Sequence, residues 1–249
     1  MSVKSGPWRI EHVEETGSTN ADLLARAAAG EDIDGVVLTA DSQTAGRGRH
    51  GRSWSTPPRS QVALSAGVGV GTVPSEAWGW LPLLTGVAVV DAVAEVAGVT
   101  AGLKWPNDVV VADKGKLAGI LAEVAAPAPV VVVGLGVNVT EAPDPAATSL
   151  SLLGATVDRT ELAEAVLRHL AARVDAWRAA DGADATLAAD YRARSVTIGS
   201  QVRATLPGDR TVSGVASDID DAGRLLIDTG DGTETVSAGD ITHLRAANP

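Results

Sequence analysis

The chain has no cysteine and no phenylalanine, and it holds one tyrosine and one methionine among 249 residues. Without thiols there are no disulfides, thiolate metal sites or cysteine nucleophiles, which fits a reducing compartment. Without Phe, the core must be built mainly from Val, Leu, Ala and the six Trp. A hydrophobic content of 45% is ample for one sizeable domain, or a domain with a smaller companion. Met1-Ser2-Val3-Lys4 leads into polar residues, not into the apolar run of a signal peptide, and no apolar stretch reads as long enough to cross a membrane. These absences predict a cytoplasmic protein without a membrane partner. A net charge of -11 and a pI near 4.7 argue against nucleic acid as the main partner.

Acidic residues are also missing locally: none occurs between Asp41 and Glu76. Inside that gap lies Gly46-Arg47-Gly48-Arg49-His50-Gly51-Arg52, followed by Ser53-Trp54. Arginine presents a permanently charged fork of donors suited to phosphate and carboxylate. Glycine lets the backbone enter left-handed conformations and approach a ligand closely. Together they predict a flexible basic loop closing over an anion. As text, Gly46 to Gly51 fits G-x-G-x-x-G, but Pro57-Pro58 prevents a following helix and no acidic residue stands about 20 positions on, so the context argues against a dinucleotide fold. A Walker P-loop is absent. A solvated Arg/Gly segment that binds nucleic acid without catalysis is a second reading, opposed by the acidic total.

Along the chain, Trp8 to Val13 alternates as a strand. Ser18 or Thr19 can cap a helix ending near Gly30, with Leu23, Leu24 and Ala27 on its apolar face. Those hydroxyls either serve only as caps or also face a ligand at the helix start. Strands are expected over Asp34–Thr39, which delivers Gln43 and the arginine loop, and over Val62–Val70. A long buried helix is expected over Ser75–Val96, with Gly98 past its end. In Leu103 to Val111, Pro106 interrupts a strand, which places it at an edge or bulge. Asp113 to Lys116 reads as a turn and Lys116 to Val124 as the returning strand, where an isolated Lys116 would ordinarily be a solvated edge residue. Pro129 to Val133 is an apolar strand entering Gly134-Leu135-Gly136-Val137-Asn138, and Glu141 to Thr148 reads as a mobile loop. Thr160–Ala179 and Asp184–Arg194 read as helices. After about Ser195, short strands separated by Gly/Asp turns predict a small β-barrel of roughly fifty residues.

Cations and glycines of this kind suit a reaction in which a carboxylate attacks the α-phosphate of ATP, because two anions must be brought together and pyrophosphate stabilised. Arg47, Arg49, Lys104 and Lys116 are candidate cations. Asp108 is a candidate Mg²⁺ ligand, and Gly134, Gly136 and Asn138 are candidate borders of the nucleotide. A loop that orders on binding would keep water from a reactive acyl-adenylate.

Five motifs occur in one order: Ser18-Thr19-Asn20, the Gly46–Arg52 loop with Trp54, Lys104-Trp105-Pro106-Asn107-Asp108, Lys116-Leu117-Ala118-Gly119-Ile120-Leu121, and Gly134-Leu135-Gly136-Val137-Asn138. In this the chain resembles the bacterial biotin–protein ligases over nearly its whole length. The resemblance implies an α/β (α+β) fold: a mixed-sheet catalytic domain of the biotin/lipoate ligase type over residues 1–197, then an SH3-like β-barrel over 198–249. It implies a ligase that uses ATP and Mg²⁺ to activate biotin as biotinyl-5′-AMP and transfers it to a lysine of the biotin carboxyl carrier domain of an acyl-CoA carboxylase. Ser18, Thr19, Asn20 and Gln43 would bind the ureido end of biotin, with Arg47, Gly48 and Arg49 closing over it and Gly119 and Leu121 lining its pocket. Lys116 would sit between the biotin carboxylate and the α-phosphate, supported by Arg49. Trp54, Asn107 and Asn138 would border the adenylate and Arg52 would contact phosphates, with Lys104, Gly134 and Gly136 on the nucleotide side. His50 departs from the residue usual in that loop. Too few residues precede Ser18 for the helix-turn-helix that many relatives carry, which implies a ligase without DNA binding. A lipoate–protein ligase is the related alternative.

Overall fold

The computed structural model describes residues 2–5, 8–127, 129–142, 144–206, 208, 210–237 and 240–243. Among the short strands and turns expected after Ser195, parts of the turn expected over Pro207-Gly208-Asp209 and the end of the strand expected over Ile241 to Leu244 lie outside them.

Eight strands form one sheet: β1 (Ser2–Ser5), β2 (Trp8–Thr16), β3 (Val36–Gln43), β4 (Gln61–Gly69), β5 (Gly102–Lys104), β6 (Asp108–Val111), β7 (Gly115–Ala125) and β8 (Val130–Asn138). Their order is β1-β2-β3-β4-β8-β7-β6-β5. Only β2 and β3 run parallel, joined by α1 (Thr19–Ala28); the other neighbours are antiparallel. The interrupted strand around Pro106 is accordingly a β5–β6 hairpin at the sheet edge.

Side-chain alternation divides the core in two. One face of β4 and β8 (Val62, Leu64, Ala66, Val68; Val131, Val133, Leu135, Val137) packs under α2 (Trp80–Ala97) and α3 (Arg159–Ala179). The other face carries Val130 and Val132 of β8, which pack with Leu23 and Ala27 of α1 and with Leu38 of β3. Further along β8 that same face bears only Gly134, Gly136 and Asn138. The apolar layer therefore gives way to two glycines and a buried amide.

Helix α2, preceded by a 3₁₀ turn over Ser75–Gly79, ends at Gly98 in the left-handed conformation, where glycine has no Cβ penalty. Contrary to the reading of the sequence, the helical run Ser75–Ala97 is long and apolar enough to cross a membrane, an 18-residue window within it having a mean hydropathy of 1.6. Two-thirds of that stretch is buried inside the protein, as expected of a central helix packed on α3 and the sheet.

After α4 (Ala185–Arg194), β9 (Gln201–Thr205), β10 (Thr211–Ile219), β11 (Leu225–Asp228), β12 (Thr233–Val236) and β13 (Asp240–His243) form a second, antiparallel sheet in the order β12-β11-β10-β9-β13. Its Asp220–Gly223 turn touches the first sheet's machinery directly. Trp80 Nε1 donates to Asp221 O (2.8 Å) and Trp105 Nε1 donates to Gly223 O (3.1 Å).

Candidate active site

The floor of the site is a consequence of register. Gly134 on β8 pairs with Ser65 on β4 and Leu121 on β7; one row on, Gly136 pairs with Ala63 and Gly119, and Gly119 pairs with Asp108 on β6. Two rows of mostly small residues across adjacent strands leave a cleft of about 360 Å³ above the sheet. That size suits a small organic ligand.

A β-bulge aims Lys116 into this cleft. Val109 pairs with Ala118 but Val110 pairs with Lys116, so Leu117 is an extra residue in β7. Strict alternation from Ala118 and Ile120, which face the α2 core, would have turned Lys116 inward; the bulge reverses it. Its Nζ lies 2.6 Å from Asp108 Oδ1 and 5.2 Å from the centre of the Trp54 indole. Ala147 forms a bridge to Lys116, with Lys116 N donating to Ala146 O and Thr148 N donating to Lys116 O. The Glu141–Thr148 segment, expected as a mobile loop, is thus pinned beside the lysine over Ala146–Thr148.

The start of α1 supplies one wall. Ser18 caps the helix, its Oγ accepting from Ala21 N, and Ser18, Thr19 and Asn20 are all buried and line the cleft. Gln43 Oε1 accepts from Thr19 N (3.0 Å) and Thr19 Oγ1 (3.2 Å). Thr19 Oγ1 meets Ser65 Oγ at 2.7 Å, and Ser65 Oγ donates to Asn20 Oδ1. Asn20 Nδ2 donates to Leu121 O (3.2 Å) and Glu123 Oε2 (2.9 Å).

The arginine loop forms the opposite rim. Trp54 N donates to Gly46 O and Gly48 N to Arg52 O, and a single 3₁₀ turn covers Arg49–Gly51. His50 sits in the left-handed region at φ 56°. Arg47 pairs with Glu123, and Arg49 Nη1 donates to Asn107 Oδ1 (3.3 Å). Trp54 lies on the glycine floor: a Cβ built on Gly136 would stand 2.5 Å from Trp54 Nε1. That nitrogen donates to Gln61 Oε1 (2.6 Å).

Of the residues singled out in the sequence, Ser18, Thr19, Asn20, Gln43, Arg47, Gly48, Arg49, Arg52, Trp54, Lys104, Asn107, Asp108, Lys116, Gly119, Leu121, Gly134 and Gly136 all line this one cleft. Asn138 does not. It is buried behind Lys116, its Nδ2 donating to Thr148 O (3.0 Å) and reaching Lys116 O (3.5 Å). Asp108 stands as the partner of Lys116, and among the described residues no group of three or more His, Asp or Glu converges as a metal cage. Two participants escaped the sequence reading, Ser65 and Glu123. Ser65 had a signal, being the one hydroxyl in the apolar run Val62–Val68. Glu123 had none, being a single polar position within the strand expected over Lys116–Val124.

Two family models match the chain: the biotin/lipoate A/B protein ligase family over residues 17–139, and the biotin protein ligase C-terminal domain over residues 197–244. The biotin–[acetyl-CoA-carboxylase] ligase of Mycobacterium tuberculosis is 60% identical over 98% of this chain and 92% of its own length. The chain belongs to the biotin–protein ligase family. It is an acyl-adenylate-forming ligase by that membership, and its small second sheet corresponds to the family's SH3-like C-terminal domain. The bifunctional ligase/repressor of Bacillus subtilis is 34% identical over 84% of this chain and 66% of its own length. Among solved structures, the biotin protein ligase of Aquifex aeolicus in complex with biotin and ATP superposes with a TM-score of 0.79 at 26% identity, covering 95% of this chain and 99% of that one.

Proposed function

We propose that this chain is an ATP-dependent biotin–protein ligase whose cleft carries out two steps. In the first, a biotin carboxylate oxygen attacks the α-phosphorus of ATP, the bond to the β-phosphate oxygen breaks, and biotinyl-5′-AMP and pyrophosphate result. In the second, the neutral amine of a carrier-domain lysine attacks the acyl carbon; AMP leaves, the amine loses a proton, and an amide remains. The observation that carries the proposal is the meeting of Lys116 and Arg49 with a hydrogen-bonding wall and a glycine floor in one cleft.

Ser18, Thr19, Asn20 and Gln43 take the polar ring end of biotin, and the loop of Arg47, Gly48 and Arg49 covers it. Gly119 and Leu121 shape the floor beneath the acyl chain. Lys116 lies where the carboxylate and the α-phosphate must meet, and fixed cations there offset the charge that grows as they react. Arg49 assists it, while Arg52, Lys104, Asn107, Gly134 and Gly136 attend the nucleotide. Trp54 gives it an aromatic neighbour. Asn138 acts from behind, holding the Lys116 backbone. Among the described residues Asp108 is the single carboxylate lining the cleft, and it is engaged by Lys116. This donor set does not fit a protein-held Mg²⁺, and Mg²⁺ belongs to the proposal only as the counterion that ATP brings. The catalytic unit spans residues 1–197 and the barrel 198–249, and the enzyme works in the cytoplasm.

The test is incubation with ATP, Mg²⁺ and labelled biotin, followed by a biotin carrier domain. Labelled carrier is expected. Label transferred from lipoate and not from biotin would reassign the enzyme to the other branch of the family, and transfer of neither would remove the proposal.

A further inference from the structure

The polar wall and the arginine loop are separate in sequence, yet one carboxylate joins them. Glu123 sits on β7 two residues beyond Leu121 and so on the same face, past the end of the cleft. One of its oxygens accepts from Arg47 Nη2 in the loop. The other accepts from Asn20 Nδ2 at 2.9 Å. Asn20 in turn accepts from Ser65, so a continuous chain of hydrogen bonds runs from the loop through Glu123 into the buried wall. Glu123 does not line the cleft itself.

We infer that Glu123 is a positioning residue: a latch that holds the arginine loop down and sets its closure by the orientation of Asn20. The inference rests on the cleft being the biotin site. Both groups that reach Glu123 are donors, and an ionised carboxylate offers acceptors to both. A glutamine offers one acceptor and must turn its own NH₂ toward either Arg47 or Asn20. An amide there breaks one side of the latch with almost no change of shape. The pair is partly exposed, 40% for Arg47 and 29% for Glu123, so it contributes less than a buried ion pair would, and the hydrogen bond to Asn20 carries much of the coupling.

Hydrogen exchange in the ligand-free protein reads the latch directly. Glu123→Gln should speed exchange of the loop amides Gly48 and Trp54, which are bonded within the loop, while the amides of α2 and β8 keep their wild-type rates. It should also speed biotin release on the order of tenfold. In an Arg47→Ala background, Glu123→Gln should add little to either rate. Unchanged loop exchange in Glu123→Gln, or effects that multiply in the double variant, would overturn the latch. Faster loop exchange in a protein that binds no biotin would keep the latch and sink the biotin reading instead.

Discussion

Replacing Gly134 with alanine tests the geometry of the wall with a single methyl group. Its Cβ would stand 2.0 Å from Asn20 Oδ1 and 2.8 Å from Asn20 Cγ. The backbone cannot retreat, because Gly134 is paired on both sides, with Ser65 and with Leu121. Asn20 must therefore move, and at 4% exposure the space open to it is the cleft that it lines. Leaving its place breaks the bonds to Leu121 O and Glu123 and the one from Ser65. Two neutral bonds at about 1 kcal/mol each and one to a carboxylate at about 1.5–3 kcal/mol set a gross loss of roughly 4 kcal/mol. Removing a glycine from a strand returns about 0.5–1 kcal/mol. A net destabilisation of about 3 kcal/mol is expected in denaturant unfolding. Since the displaced amide belongs to the proposed ureido contacts, biotin affinity by calorimetry should fall on the order of 100-fold, about 2.8 kcal/mol at tenfold per 1.4 kcal/mol. In an Asn20→Ala background the methyl meets no amide, so Gly134→Ala should then cost almost no stability. Gly134→Ala protein that binds biotin within twofold of wild type would refute the reasoning.

Lys116→Ala should lower adenylation by about 10²–10³, the usual cost of removing one fixed charge-stabilising group, while the melting temperature changes little because the ion pair it loses is partly exposed; pyrophosphate release at the wild-type rate would take Lys116 out of the chemistry. Thr197→Val deprives Trp105 N, a buried donor, of its 3.0 Å acceptor and should cost about 1–3 kcal/mol in unfolding, with a raised KM for ATP if the Trp105–Asp108 turn shifts with it. Asp190 is a pH probe. Burial pushes its pKa up, but the hydrogen bond from Arg173 and the charges of Arg173 and Arg194 outweigh burial and hold it below the usual carboxylate range. The unfolded chain therefore takes up this proton first. The stabilisation is fully present above about pH 4 and is lost as the pH falls through the lower folded value. Asp190→Asn should accordingly be destabilised at neutral pH and converge with wild type in acid; a constant difference across the titration would show that the pairing contributes nothing.

Much of the architecture was readable because local signals agree with global packing. The Ser18 cap, the helix stopped at Gly98, the edge hairpin at Pro106 and the change to short strands after Ser195 each rest on a nearby residue with one strong preference. The site needed more. The five motifs lie on separate elements, and only strand order brings Gly134 of β8 between Ser65 of β4 and Leu121 of β7. Strand β8 continues through its glycines to Asn138 because both neighbours supply ladder partners, which local propensity cannot register. The bulge at Leu117 has no sequence mark at all, so an alternating strand assigns Lys116 to the wrong face. The helix over Ser75–Ala97 was legible as a long buried one from its apolar run and Gly98, although length and composition alone fit a membrane span equally well.

A chain with net charge -11 has to present cations to two anionic reactants without leaving those cations bare. The fold meets this by giving cleft cations protein acceptors: Arg47 has Glu123, Lys116 has Asp108, and Arg49 donates to Asn107. Unpaired, such a cluster would repel itself and attract any polyanion. Paired, under the proposed function, it would exchange one oxygen ligand for another when substrate arrives, so the electrostatic gain of binding would be the difference between two partners and not the whole attraction of a free charge. That difference is largest for a ligand offering several oxygens in a fixed arrangement, as a carboxylate lying against a triphosphate does, and small for a diffuse charge. The arginine loop that reads in sequence as a bare basic patch is partly neutralised in the fold, because Arg47 meets Glu123 of β7, far along the chain.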